Sequence, residues 1–150
     1  MSTSNLRTCE PMFTLKLKII TPERIVFEDT VDSVSAMTES GEITVLPGHV
    51  PLVTNLRAGE MRCKKGSEEF LLAASTGLLE VRSGLEVIIL ADTAERMEEL
   101  DLEKIEAAKA EAERIMLEKK NADDVSYVNA AAMLERELAR YRVALKKRKH

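Results

Sequence analysis

Four polar side chains have the types and the spacing to hold an anion. Asp101 and Lys104 stand three positions apart and Arg136 and Arg140 four apart, so each pair shares a face if its segment is helical. Folding the two segments on each other about residue 122 sets 104 opposite roughly 140 and brings the pairs together near the open end. Two guanidiniums, a lysine and a carboxylate suit a nucleotide's phosphate and ribose, because arginine offers phosphate oxygens a bidentate fork. The same spacing serves a solvated set of ion pairs with no ligand, and spacing alone leaves both readings open.

Other chemistry is scarce. The two histidines are His49, in a Pro-Gly-His-Val-Pro turn, and His150. That is too few for a metal site in a β-domain. No nucleophile elbow, Walker A, dinucleotide fingerprint, H-E-x-x-H or C-x-x-C occurs, and Lys65-Gly66-Ser67 reads as a turn. Cys9 and Cys63 lie 54 positions apart, which fits neither a disulfide framework nor a metal site and suits a reducing compartment. The chain is expected to catalyse nothing alone and to hold no metal.

The elements that carry these residues change character along the chain. All four prolines and all six glycines fall before residue 85. Between them lie short, often alternating segments: Thr14–Ile19, Glu42–Leu46, Glu60–Lys64, Phe70–Ser75, Leu78–Arg82 and Glu86–Leu90. Strands punctuated this way predict an antiparallel β-sandwich or barrel. From Asp101 the period becomes helical. Leu102, Ile105, Ala108, Ala112 and Ile115 form one stripe, and Val128, Ala131, Leu134, Leu138, Tyr141 and Leu145 form another. Asp101 and Asp124 (or Asp123) are the expected N-caps, and the break at Lys120–Asp124 makes the helices an antiparallel hairpin. The expected fold is therefore α+β: a tail over 1–12, a sandwich over 13–95 and a two-helix hairpin over 96–150. Ten alanines in the last fifty residues make the hairpin's seam poor in apolar area, so it is weakly held and free to detach.

Composition bounds the rest. Hydrophobic residues make up 45% and charged residues 32%, which excludes ordinary disorder. The longest apolar runs, Phe70–Ala74 and Val87–Ala91, are far short of the ~20 residues that span a bilayer. Residues 1–12 hold no apolar core for a signal peptide, so the protein is expected to stay where it is made. Charge is uneven. Residues 1–100 carry 10 basic and 16 acidic side chains, whereas Arg136 to Lys149 holds seven basic residues and one acid, Glu137. A basic end on an acidic body predicts an acidic partner, and no aromatic interleaving supports nucleic acid.

The run Gly41-Glu42-Ile43-Thr44-Val45-Leu46-Pro47-Gly48-His49-Val50-Pro51-Leu52-Val53, followed by Leu90-Ala91-Asp92-Thr93-Ala94, resembles the epsilon subunit of F-type ATP synthases. Leu17–Phe27 (LKIITPERIVF) and the Ser75-Thr76-Gly77 turn with Leu78-Leu79-Glu80-Val81 are similar too, and the likeness covers about residues 13–145. Thr44 stands where the family usually has glycine. The resemblance implies a non-catalytic rotor subunit of a bacterial proton-translocating synthase, at the periphery of the cytoplasmic face of the membrane and not inserted in it. It implies that the sandwich binds the gamma subunit and rests on the c-ring, with Glu42 at the c-ring and His49 near gamma. It implies that the helical hairpin brakes ATP hydrolysis by extending into the alpha/beta head, where Arg142, Lys146 and Lys147 would meet an acidic segment of beta.

Some family members also bind regulatory ATP in the folded hairpin. Their motif resembles Leu100-Asp101-Leu102-Glu103-Lys104-Ile105 with Arg136 and Arg140, although the family has arginine at Lys104 and alanine at Ile105. Two readings of other classes stand beside this one. A free-standing adaptor docking an acidic partner or nucleic acid would not be retained on gamma, and a small β-domain hydrolase would turn over substrate alone.

Overall fold

The computed structural model describes residues 14–83, 85–119 and 125–149. Ten strands come first: β1 (Leu15–Ile20), β2 (Ile25–Val31), β3 (Ser33–Thr38), β4 (Gly41–Val45), β5 (Leu52–Leu56), β6 (Gly59–Lys65), β7 (Glu68–Ala74), β8 (Gly77–Arg82), β9 (Glu86–Ala91) and β10 (Ala94–Arg96). A 3-10 turn, Met97–Glu99, leads to helices α1 (Leu102–Glu118) and α2 (Val125–Lys149).

The strands hydrogen-bond in the order β10-β7-β6-β3-β5-β8-β9-β1-β2, with β4 also on β3. The sheet turns its corner at β3, whose Ser33–Ser35 pair with β6 while Thr38 pairs with Leu56 of β5. Alternation then aims one side of every strand inward. Leu15, Leu17 and Ile19 of β1, Leu72 and Ala74 of β7, and Leu79 and Val81 of β8 enter one buried cluster. The expected all-antiparallel sheet needs one amendment, because β1 runs parallel to β9, Leu17 beside Val87. A parallel pair joins strands distant in sequence, so no turn between them announces it.

Two runs of similar hydrophobicity have different fates. In β7 both faces are covered: Leu72 and Ala74 face the sandwich core, while Leu71 and Ala73 pack with Leu100, Ile105, Val143 and Ala144. In β9, Val87, Ile89 and Ala91 are buried, but Leu90 is 48% exposed.

Asp101 caps α1, its Oδ1 accepting from Glu103 N at 3.0 Å and Lys104 N at 3.4 Å. The other expected cap, Asp124 or Asp123, lies outside the described residues. The α1 stripe is the expected one, with Ile105 and Ala112 at its buried centre. The α2 stripe is not. Val128 is exposed, and the buried positions are Ala130, Glu137, Ala139, Val143 and Ala144. The helix packs on α1 and on β6 and β7 at once, so it hides two flanks rather than one seam.

Cys63 is wholly buried in β6, and burial pushes its thiol up to about 12, against a smaller downward pull from the Arg96 charge. A thiolate is the reactive form. Cys63 is expected to resist maleimide labelling at neutral pH in the folded chain and to label on unfolding. Prompt labelling of the native protein at Cys63 would show that β6 opens locally.

Candidate functional site

The helical hairpin is docked on the sandwich by charge as much as by apolar contact. Arg140, on α2, reaches to Glu95 of β10 through Nη2, and its Nη1 donates to Glu137 Oε2 at 2.6 Å. Arg136 Nε lies 3.5 Å from that same Glu137 oxygen. Six residues past Arg140, Lys146 Nζ sits 2.5 Å from Glu60 Oε2 of β6. Lys147 Nζ donates to the carbonyls of Glu98 at 3.1 Å and Leu100 at 3.3 Å, where the chain enters α1. Arg24 of the β1–β2 turn donates to Glu99 Oε2 at 2.6 Å, and that hydrogen bond raises the guanidinium above its ordinary value.

The four residues first singled out do not converge. Lys109 Nζ lies 4.4 Å from the Tyr141 ring centroid, and Lys147 reaches Leu100, so Lys104 stands about one turn past Arg140 along α2. Asp101 instead lines a groove with Leu100, Leu102, Ala144 and Lys147, and Lys104 is exposed. Arg136 and Arg140 open toward the sandwich. Arg136 borders a cleft with Ser75, Thr76 and Asp92, and Arg140 borders one of about 410 Å³ with Thr21, Arg24, Glu95 and Glu99. The carboxylates that partner these cations were not among the sequence candidates. Glu137 had a visible signal, as the one acid in the basic run, but Glu60 and Glu95 meet α2 only through tertiary folding.

Elsewhere the sandwich leaves apolar side chains uncovered. Glu42 of β4 accepts from Arg62 Nη2 at 2.8 Å, and His49 Nδ1 lies 2.7 Å from the Val50 carbonyl. Around them Leu46, Val50 and Val53 are exposed. On the outer face of the sheet, register aligns Leu78, Leu90, Ile20 and Ile25 in one row across β8, β9, β1 and β2. Leu78, Leu90 and Ile25 are each more than two-fifths exposed. Such a continuous apolar strip marks a contact surface. Among the described residues no cluster of His, Cys, Asp or Glu could hold a metal ion, and no helix is long and apolar enough to cross a membrane.

The sandwich is that of the ATP synthase delta/epsilon chains: the family pattern "ATP synthase, Delta/Epsilon chain, beta-sandwich domain" matches residues 14–97. The ATP synthase epsilon chain of Dehalococcoides mccartyi is 45% identical over 139 residues, covering 93% of this chain and 98% of that one. That of Bacillus licheniformis is 41% identical over 133 residues, covering 89% and 99%. A chain in the cryo-EM structure of the Euglena gracilis mitochondrial ATP synthase (OSCP, F1 and c-ring) shares the fold, with a TM-score of 0.74 at 22% identity over 95% of this chain and 85% of that one. The chain belongs to the ATP synthase epsilon-chain family.

Proposed function

We propose that this chain is a non-catalytic rotor subunit of a bacterial F-type ATP synthase, coupling gamma to the c-ring and restraining ATP hydrolysis through its helical hairpin. The observation that carries the reading is the largely exposed apolar row Leu78–Leu90–Ile20–Ile25. A torque-bearing contact needs apolar area on a rigid support, and a row fixed by strand register supplies both. Gamma is assigned to this row and to His49, and the polar loops of the c-ring to Glu42. The chain then lies at the periphery of the membrane, on its cytoplasmic face.

The brake follows from the same cations. Arg142 is exposed, whereas Lys146 and Lys147 are held by Glu60 and by the carbonyls of Glu98 and Leu100. Swinging α2 off the sandwich frees both lysines for the acidic segment of beta.

Two measurements test the reading. The full chain is expected to be retained on purified gamma and to inhibit ATP hydrolysis by the alpha, beta and gamma head. Leu90→Glu is expected to weaken retention at least about tenfold without lowering the melting temperature much, because it places an unpaired carboxylate in an apolar contact and Leu90 is half-exposed in the free chain. Unchanged retention would remove gamma from this face. Failure of the wild-type chain to bind gamma at all would defeat the rotor assignment.

A further inference from the structure

Glu137 is 3% exposed, the most deeply buried charged side chain among the described residues. Burying a carboxylate is costly unless opposite charge and hydrogen bonds surround it. Here Arg140 donates to its Oε2 at 2.6 Å and Arg136 stands at 3.5 Å. Arg140 is itself held from the sandwich side by Glu95. A helix face with two arginines is thereby neutralised by groups of this chain. The apolar contact beneath sets Leu71 and Ala73 against Val143 and Ala144, with Leu100, Ile105 and the half-buried Met97, Leu102 and Tyr141 beside them, and only two of these residues come from the strands. Charge therefore has leverage over docking.

We infer that Glu137 and Glu95 form a built-in anion clamp on Arg140, which closes the helical hairpin on the sandwich without any bound nucleotide. The position a phosphate would take against the guanidinium is filled by two carboxylates on opposite sides of the joint. Opening the hairpin breaks the Glu95 half and leaves the Glu137 half intact within α2, so Glu95 is the releasable jaw. Glu137 keeps Arg140 from being left as a bare charge when the joint opens. The clamp rests on the reading that the hairpin moves off the sandwich as a unit.

Amide hydrogen exchange of the full-length chain tests it, comparing residues 136–147 of α2 with residues 77–91 of β8 and β9. Glu95→Gln is expected to speed exchange in 136–147 about fivefold at low salt, a modest factor because Glu95 is partly solvated, and to leave 77–91 unchanged. Raising salt to about 1 M should move the wild-type chain the same way and the variant less, since both keep the screened Lys146–Glu60 pair but only the wild type has the Arg140–Glu95 pair to lose. Glu137→Gln should change the rate in 136–147 less than Glu95→Gln does, because the Glu137–Arg140 contact lies within α2 and persists when the joint opens, so Glu95→Gln decides. Millimolar ATP should leave the wild-type rate in 136–147 unaltered. An unchanged rate in Glu95→Gln, or a several-fold slowing by ATP in the wild type, overturns the clamp. If instead wild-type α2 amides exchange only as fast as 77–91, the hairpin does not open separately and the reading beneath the clamp fails.

Discussion

Gly77→Ala is expected to lower stability by about 3 kcal/mol or more and the melting temperature by roughly 10 °C, the largest effect of adding one methyl group to the sandwich. Gly77 opens β8, paired with Ala91 on one side and Leu56 on the other. An added Cβ would fall 2.0 Å from the Leu90 carbonyl oxygen and 2.8 Å from Ala91 Cα. Both are backbone atoms, so no rotamer change relieves the overlap, and β8 and β9 must part. Gly59 is a milder case, since the atom in the way there is the flexible side chain of Met37 at 2.6 Å. The consequence reaches the proposed gamma contact, because the β8–β9 pairing puts Leu78 beside Leu90. Denaturant unfolding measures the first effect and retention on gamma the second. A midpoint close to wild type would mean the β8–β9 seam has slack.

The legible parts of the molecule are those whose burial has one cause. Segments such as Thr14–Ile19 and Leu78–Arg82 alternate because one face meets the core, and α1 keeps a single stripe because one side of it faces α2 and the sandwich together. β2 is less legible, because its burial runs irregularly and its pairing with β1 shifts register between Ile19 and Ile20. β10 is three residues long, too short to show a period. α2 misled because it is shared between α1 and two strands, and because its centre buries a glutamate that no apolar pattern anticipates.

The candidate site divides the same way. Spacing along one helix correctly pairs Arg136 with Arg140 on a face, since that is local geometry. The hairpin register is not local, and the Lys109–Tyr141 contact moves Lys104 away from Arg140. Glu95 and Glu60 sit far from α2 in sequence, and nothing in their surroundings marks them as its partners. The apolar row is legible only after four strands are aligned, because each of its residues is an ordinary strand position by itself.

Where the sandwich ends decides how it can be studied alone, and Arg96 sets that point. β10 and β2 close the strand order at its two ends and do not pair with each other. Arg96 spans the gap, donating to the Val26 carbonyl through Nε at 3.3 Å and Nη2 at 3.1 Å. Its guanidinium carbon lies 5.2 Å from the centroid of the Phe27 ring, whose edge meets Phe70. A chain ending after Glu95, the boundary expected from periodicity, deletes this bridge and leaves the Val26 carbonyl without that donor. A charged hydrogen bond and a cation–π contact together make the loss about 2–4 kcal/mol relative to a chain ending after Leu100. The longer fragment is expected to unfold cooperatively and to bind gamma without inhibiting hydrolysis, although it uncovers Leu71 and Ala73. The shorter one should melt well below it. Arg96→Ala in the full chain should lose a similar amount, which separates the side chain from the truncation. Equal stability of the two fragments would show that the β2–β10 seam holds without Arg96. Non-cooperative unfolding of the longer one would make the hairpin part of the sandwich's own core, and an element required for the core is not free to swing away as a brake.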